Sequence, residues 1–270
     1  MIAWHEGAWI ETNLIDVRHE VVTGQGVFET VLVSDQVPQF LNLHLERLNN
    51  SCQILGLGPP ALPVIREGIE QLLDGRITDR GRLRITVFGG LPELLLMISL
   101  VDVDPWPESA RVIISPWIRN ENSAITGVKS VSYAENLLAL KWAKDLGYCE
   151  TLLFNGVGHV AEAATSNVLV VVDGEVITPP LHSGCLPGIT RGVILELGVR
   201  EADIDASGLD RVTAAALLSS TRGVQPIHAI GERKLEVLDA RLQQLIDSYR
   251  VRAEQDKMNW ARPPKESRPV

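Results

Sequence analysis

Residues 126–147 read T-G-V-K-S-V-S-Y-A-E-N-L-L-A-L-K-W-A-K-D-L-G, and residues 150–167 read E-T-L-L-F-N-G-V-G-H-V-A-E-A-A-T-S-N. Lys129 ends a short apolar segment, just ahead of a stretch that stops at Gly147. That stretch carries apolar side chains at helical spacing, namely Leu137, Leu138, Trp142 and Leu146. The pattern predicts an amphipathic helix that begins directly after Lys129.

An acidic residue lies in an uncharged part of the same stretch. Glu162 is preceded by V-A and followed by A-A-T-S-N-V-L. Burial of a carboxylate is unfavourable unless a positive group or a hydrogen-bond donor meets it. The sequence therefore predicts a lysine and a glutamate that can hold a cofactor between them.

The rest of the chain alternates strands and helices. A hairpin is predicted near the start, around residues 6–7. Periodicity predicts helices over 41–55 and 64–73, a helix after the glycine- and proline-rich 180–188 segment, and a last helix over 238–249. Strands are predicted over 28–33, 82–88, 94–100, 112–115, 151–154, 168–172, 176–178 and 212–220, with a strand from 160 that carries Glu162. Residues 219–227, S-S-T-R-G-V-Q-P-I, are predicted to form a loop.

Five motifs, in this order, resemble the fold-type IV, pyridoxal-phosphate-dependent family of branched-chain and D-amino-acid aminotransferases and aminodeoxychorismate lyase. They are G-Q-G-V-F-E-T (24–30), H-L-E-R-L (44–48), K-S-V-S-Y-A-E-N (129–136), V-A-E-A-A-T-S-N (160–167) and L-P-G-I-T-R (186–191). The resemblance implies an α/β (α+β) fold with a small N-terminal α/β domain over 1–119. A larger domain with a β-barrel-like core would cover 120–258, ahead of a disordered tail over 259–270. Pyridoxal 5′-phosphate (PLP) and a homodimer are also implied.

The resemblance assigns roles to individual residues. Lys129 would carry the cofactor covalently and, once the substrate amine displaces it, would remove the proton from Cα. Glu162 would pair with the pyridine nitrogen, and Tyr133 would hydrogen-bond the ring oxygen. The phosphate would be held by Arg47, the amides of Ile189 and Thr190, Ser220 and Thr221. The expected substrate-binding residues are Phe28, Thr30, Arg84 and Arg222.

Without the resemblance, several of these residues have simpler interpretations. Arg47 lies beside the apolar stripe of its helix and fits a solvent-exposed arginine. The glycines at 24 and 26 fit a bulge at the start of a strand. The 186–191 segment fits a helix capped by Thr190, a residue type common at that position. The resemblance favours phosphate binding, which suits both the planar fork of an arginine and the exposed amides of a helix start.

Composition excludes several other classes of protein. The chain has 270 residues, 45% of them hydrophobic, which is enough to bury a large core. A net charge of −9 without basic runs argues against nucleic-acid binding. The sequence shows no membrane-spanning run or leader peptide, so we expect a cytoplasmic protein. Cys52, Cys149 and Cys185 are too far apart to indicate a disulfide framework, and no metal site is expected.

Two reactions fit the motifs. An aminotransferase keeps the substrate nitrogen on the cofactor, whereas aminodeoxychorismate lyase expels pyruvate from 4-amino-4-deoxychorismate and leaves 4-aminobenzoate. The S-S-T-R-G-V-Q-P-I and K-S-V-S-Y-A-E-N segments resemble those of the lyase, and the first domain has no clear R-x-H carboxylate trap of the D-amino-acid type. The lyase is therefore the expected activity, with a branched-chain or D-amino-acid aminotransferase as the alternative.

Overall fold

The structure is a computed structural model that describes residues 2–5, 8–11, 21, 23–89 and 94–260. Its helices confirm the predicted ones and add a short one, α5. In chain order they are α1 (Leu41–Ile54), α2 (Leu62–Asp74), α3 (Ala134–Asp145), α4 (Ile189–Glu196), α5 (Ala206–Arg211) and α6 (Ala240–Met258). None of the helices in these described ranges is long and apolar enough to cross a membrane.

The first sheet comes from the N-terminal third of the chain. Its antiparallel strands are β1 (Ile2–His5), β2 (Ala8–Glu11), β3 (Gly26–Ser34), β4 (Val37–Pro38), β5 (Arg80–Phe88) and β6 (Leu95–Asp102), in the order β2-β1-β6-β5-β3-β4. Alternate residues of β3, Val27, Val31 and Val33, share one buried core with Leu45 and Leu48 of α1. The period of two in the strand and the apolar stripe on the helix create this core.

The second sheet holds most of the remaining strands. They are β7 (Ala110–Arg119), β8 (Glu150–Asn155), β9 (Val160–Ala163), β10 (Asn167–Val172), β11 (Glu175–Thr178), β12 (Arg200–Glu201), β13 (Val212–Ser219), β14 (Gly223–Ile230) and β15 (Arg233–Lys234). Their order is β12-β11-β10-β13-β14-β7-β8-β9, with β15 beside β14. Both sheets curl, which confirms the predicted mixed α/β class with a barrel-like core.

The second sheet is covered on both faces, which explains its long apolar runs. On β10, Val168 and Val170 belong to one core, whereas Leu169 and Val171 belong to another that packs under α4 and α6. A strand buried on both sides reads as a continuous apolar segment, without alternation. The sequence alone therefore located this strand but could not say which residue faces which core.

The chain changes sheets between Asp102 and Ala110. β7 precedes residue 120 and pairs in parallel with both β14 and β8 of the second sheet. The domain boundary at residue 120 stays a prediction. The end of α6 returns to the first sheet: Lys257 Nζ is 2.8 Å from Asp35, and Asp256 accepts the Phe40 N–H at 2.6 Å. Trp260 packs against the first core, and residues 261–270 of the predicted tail lie outside the described ranges.

Part of the predicted 219–227 loop is a strand. β14 starts at Gly223 and pairs with β13 on one side and with β7 on the other. Pairing with β7 begins at Ile227, directly after Pro226. The missing N–H of Pro226 therefore falls where the strand has one neighbour, the setting in which a strand tolerates proline. Only residues 220–222 form the connecting turn.

The apolar side of α3 faces outward. Leu137, Leu138 and Leu146 are each more than half exposed, whereas α3 buries Asn136, Ala139 and Ala143. The prediction of a helix at this position is confirmed, but the apolar stripe read from the sequence does not face the core of this chain. It is available to another surface.

Candidate active site

Lys129 lies where the two sheets meet. The segment before α3 pairs with β3: the Phe28 N–H donates to the Lys129 carbonyl (2.9 Å) and the Val131 N–H to the Gly26 carbonyl (2.9 Å). Lys129 Nζ lies 4.5 Å from the centre of the Phe28 ring and 5.5 Å from that of Tyr133. These rings pack edge to face, 5.3 Å apart. The amine is thus held against aromatic surfaces, a favourable position for a cation.

The environment of the amine makes it reactive. Burial, helped by the nearby Arg47, lowers the pKa of Lys129 to about 8, against the opposing effect of Glu29 and Glu162. Within the described ranges, the amine of Lys129 makes no hydrogen bond or ion pair. A lysine with a lowered pKa and no hydrogen-bond or ion-pair partner can act as a nucleophile or as a base near neutral pH.

Glu162 lies on β9 and is buried. Its carboxylate forms an ion pair with Arg119, at the end of β7, and accepts the Leu186 N–H at 2.9 Å. Asn167 Nδ2 is 3.4 Å from Oε2, the oxygen that also accepts the Leu186 N–H. Both a positive group and hydrogen-bond donors therefore meet this buried carboxylate, and the positive group is an arginine that carried no signal in the sequence.

The loop before α4 runs past Glu162 towards Arg47. Asn167 donates to the Leu186 carbonyl (2.9 Å), and Arg47 Nη1 donates to the Pro187 carbonyl (3.0 Å). A Cβ atom on Gly188 would lie 1.9 Å from the Asn167 side-chain oxygen, so only glycine allows this close approach. One short loop thus contacts both the carboxylate and the arginine that the resemblance assigns to opposite ends of the cofactor.

The start of α4 is open to a ligand. Gly188, and not Thr190, is the residue before the helix, and no side chain caps it. Thr190 is inside the first turn, so its predicted role as the cap is wrong. Its hydroxyl is buried, and the Tyr249 hydroxyl is a weak partner that does not reach good hydrogen-bond geometry. An uncapped helix start beside a buried hydroxyl that lacks a well-placed partner suits an anion such as phosphate.

Arg47 is buried, contrary to the simpler interpretation of its sequence. It donates to both oxygens of the fully buried Glu29, from Nε at 2.8 Å and from Nη2 at 2.6 Å. Burial alone would raise the pKa of Glu29, but Arg47 and His44 lower it to about 2. Three of the five N–H bonds of Arg47 are used for Glu29 and Pro187, which leaves two for a ligand.

The turn after β13 contains three candidates with different partners. Ser220 Oγ is 3.1 Å from His44 Nε2, and Thr221 Oγ1 is 3.4 Å from the indole nitrogen of Trp106. The Arg222 guanidinium lies 3.6 Å from the centre of the Trp106 ring and donates to Gln225 at 2.6 Å. Arg222 also faces the buried Glu150 at 3.7 Å.

The remaining candidates surround Lys129. Arg84 is exposed on β5, its guanidinium 3.8 Å from the centre of the Phe28 ring, and it pairs in register with Thr30 on β3. The Tyr133 hydroxyl donates to the Ala164 carbonyl at 3.1 Å, and burial raises the pKa of that phenol. Asn136 donates to the same carbonyl at 2.7 Å, so Ala164 keeps a partner if Tyr133 turns to a cofactor.

These groups fit PLP. An unpaired lysine amine suits its aldehyde, a carboxylate suits its ring nitrogen, and the open start of α4 with Arg47 suits its phosphate. The buried hydroxyl of Thr190, which makes no hydrogen bond of good geometry among the described residues, is the observation that tests this fit. The fold and the candidate site together fit an enzyme that binds an anionic cofactor between a buried lysine and a helix start.

Three important residues were missed by sequence reasoning. Glu29 is a charged residue in the apolar strand pattern V-F-E-T-V-L-V, the same signal that identified Glu162. His44 precedes Arg47 by three positions and therefore shares its helix face. Arg119 gave no signal, because only the three-dimensional structure brings the end of β7 beside Glu162.

The family is established by comparison with known proteins. The model for amino-transferase class IV matches residues 26–230, which is more than half of the chain. The chain belongs to the class IV aminotransferase family, and it is a PLP enzyme.

Relatives carry both expected activities. The bifunctional aminodeoxychorismate lyase / D-amino acid transaminase of Mycobacterium tuberculosis is 28% identical, over 79% of this chain and 84% of the relative. A branched-chain-amino-acid aminotransferase of Pseudomonas aeruginosa is 26% identical, over 87% and 86% of the two chains. A solved structure of a putative 4-amino-4-deoxychorismate lyase from Legionella pneumophila has a TM-score of 0.81 and 25% identity, over 91% of this chain and 96% of that one.

Proposed function

We propose that this chain is an aminodeoxychorismate lyase that converts 4-amino-4-deoxychorismate to 4-aminobenzoate and pyruvate in folate biosynthesis. The observation that carries the proposal is the Lys129 amine, which has a pKa of about 8 and lies against Phe28 and Tyr133. Such an amine is suited to removing a proton from the carbon that bears the substrate nitrogen. The lyase branch is supported by the lyase-like 219–227 segment and by the relatives from M. tuberculosis and L. pneumophila.

Each residue at this site would have a separate role. PLP, when bound, stabilises the negative charge left at a carbon that loses its proton. Lys129 would hold the cofactor and then take that proton at Nζ. Glu162 would face the ring nitrogen, with Arg119 and the Leu186 amide fixing its orientation. Arg47, Thr190 and Thr221, with the amide of Ile189, would bind the phosphate.

The elimination step follows from the proton transfer. Lys129 Nζ takes the proton from the carbon next to nitrogen, and the bond from the neighbouring ring carbon to the ether oxygen breaks. The electron pair leaves on that oxygen, enolpyruvate takes up a proton to become pyruvate, and the ring becomes aromatic. We propose that Arg84 binds the substrate carboxylate, since Arg222 is occupied by Gln225 and Trp106. Phe28 and Thr30 would line the same pocket.

The reaction is tested with purified holoenzyme and 4-amino-4-deoxychorismate, without any keto acid. We expect pyruvate and fluorescent 4-aminobenzoate in equal amounts. The Lys129→Ala variant, which loses the amine, should show neither product, while Lys141→Ala on the exposed side of α3 should behave like the wild type. A strict requirement for 2-oxoglutarate or pyruvate as acceptor would refute the lyase. Borohydride treatment and peptide mapping should place the cofactor on Lys129.

An aminotransferase acting on branched-chain or D-amino acids is the second candidate. It is favoured by the branched-chain relative from P. aeruginosa and by the two activities in the name of the M. tuberculosis relative. The groups around Lys129 serve the first half of either reaction. The same assay separates the two, because a transaminase turns over D-alanine or leucine only with a keto-acid acceptor.

We propose a homodimer in the cytoplasm. The exposed leucines of α3 and the exposed Trp117 and Ile118 of β7 support the dimer, since soluble chains seldom leave so many large apolar side chains uncovered. Trp117 packs against Trp142 with ring centres 5.8 Å apart, which joins β7 to α3. Light scattering on the purified protein should give twice the chain mass, and Leu138→Glu should reduce it to the chain mass. Cell fractionation checks the location.

A further inference from the structure

A buried chain of polar contacts links the two sheets. The Glu29 carboxylate on β3 is 2.7 Å from His44 Nδ1 on α1, and His44 Nε2 is 3.1 Å from Ser220 Oγ in the turn after β13. Glu29 and His44 are fully buried. The same carboxylate holds Arg47, which in turn reaches the Pro187 carbonyl before α4. One carboxylate therefore connects to both loops of the second sheet that are assigned to the phosphate.

The direction of each hydrogen bond follows from the chemistry of the partners. An ionised carboxylate only accepts, so His44 carries its proton on Nδ1 and donates it to Glu29. Burial lowers the pKa of His44, and Arg47 and Lys129 further disfavour its charged form, although Glu29 opposes them. With Nδ1 protonated and the ring neutral, Nε2 is an acceptor. Ser220 must therefore donate its hydroxyl hydrogen to His44.

The neighbouring Thr221 has the opposite arrangement. The indole nitrogen of Trp106 can only donate, so Thr221 Oγ1 accepts at this contact and keeps its own hydrogen free. Its carbonyl also accepts a hydrogen bond from Arg80 at 2.8 Å. Thr221 can therefore donate to a phosphate oxygen, whereas the hydrogen of Ser220 is committed inside the protein.

We propose that Glu29, His44 and Ser220 form a positioning chain that holds Arg47 and the 220–222 turn in place for the cofactor phosphate, and that Ser220 binds His44 instead of the phosphate. This inference rests on the proposed cofactor site and changes one of its expected residues. Ser220, assigned to the phosphate by resemblance, acts through the turn that carries Thr221. His44 and Glu29 act without touching the cofactor.

A double-mutant cycle tests the chain through cofactor affinity. Ser220→Ala and His44→Asn are made singly and together; the asparagine can still donate to Glu29 but has no group in place of Nε2. Dissociation constants are measured by absorbance for PLP and for pyridoxal, which lacks the phosphate. Ser51→Ala, a buried serine on α1, is the matched control. Thermal melting of each apoprotein verifies that it folds.

The expected pattern is specific. Each single variant should weaken PLP binding roughly five- to tenfold, the size of one lost hydrogen bond, and leave pyridoxal binding unchanged. The double variant should bind PLP no more weakly than the single variant with the lower affinity, since the two substitutions remove the same link. Losses that multiply in the double variant would overturn the proposal, because Ser220 would then bind the phosphate independently. Single variants that match Ser51→Ala would overturn it as well.

A spectroscopic measurement tests the proton positions without activity. Nitrogen-15 NMR of histidine-labelled protein should show His44 as the neutral Nδ1–H form at neutral pH, assigned by its absence in His44→Asn. The Nε2–H form would contradict the direction of the Ser220 bond. Wild-type protein that binds neither PLP nor pyridoxal would refute the cofactor site itself. This outcome differs from a wild type that binds PLP and a double variant in which the two losses of affinity multiply, which would refute only the positioning chain.

Discussion

Glu29 and Glu162 are both buried carboxylates paired with an arginine, but their surroundings differ. Glu29 is surrounded by side chains of its own half, with Arg47 bonded to both of its oxygens and His44 to one. Glu162 is held by Arg119 and by a loop amide, that of Leu186. In the proposed function, Glu29, enclosed by its own half, positions other groups. Glu162, which contacts a loop beside the proposed cofactor site, meets the cofactor.

The comparison predicts that Glu29 matters most for stability. Glu29→Gln leaves Arg47 buried without its counter-charge and should lower the free energy of unfolding by about 3–5 kcal/mol, measured by urea denaturation of the apoprotein. The pKa of Glu29 is about 2, so its contribution is complete above pH 4.5 and is lost as the pH falls towards 2. The free energies of unfolding of wild type and variant should converge in that pH range.

The matched control for this prediction is Glu46→Gln on the exposed side of α1. Loss of an exposed carboxylate should change the free energy of unfolding by less than about 0.5 kcal/mol. A Glu29→Gln protein as stable as this control would remove the distinction between the two carboxylates.

Glu162 should matter most for turnover. Glu162→Gln should lower kcat roughly 10²–10³-fold, because it removes one preorganised charge from the reacting centre. Affinity for PLP and urea stability should fall much less, since Arg119 keeps some access to solvent. Steady-state kinetics and PLP titration measure the two effects separately, with the exposed Glu135→Gln as control. Equal losses in kcat and in PLP affinity would contradict the assigned role.

The smallest expected effect is a shift in the pH at which Lys129 reacts with PLP. Attachment of PLP to the apoprotein, followed by absorbance, should speed up as the pH rises through about 8, where the amine loses its proton. Both carboxylates favour the charged amine, and Glu29 contributes more than Glu162. Either glutamine variant should therefore lower the midpoint pH, and Glu29→Gln should lower it further. A midpoint that rises in either variant would refute this electrostatic picture.

Much of the fold could be predicted from the sequence, because its signals are local. The leucine stripe of α1 and the Asn155-Gly156 turn between β8 and β9 are patterns of a few residues. Strand β14 could not be predicted, because Pro226 normally breaks a strand. It is tolerated here because the pairing of β14 with β7 begins one residue later, at Ile227. The face that α3 buries could not be predicted either, since a helix pattern shows an apolar side but not what covers it.

The candidate site divides in the same way. Lys129 and Glu162 stand out because their charge conflicts with an apolar surrounding, and their neighbourhood is now seen to include Phe28 and Arg84. The partners that orient them could not be found, because Arg119 and Leu186 meet Glu162 only after β7 and the α4 loop have assembled. Motifs identify reacting groups more readily than the groups that hold them.

The return of α6 to the first sheet has a consequence for biosynthesis. Trp260 packs against the same core as Ile2, and the Lys257–Asp35 contact lies beside it. A ribosome releases residues 257–260 only after every strand of the second sheet has emerged. The first core therefore gains its contact with Trp260, and Asp35 its contact with Lys257, only after the second sheet has been synthesised.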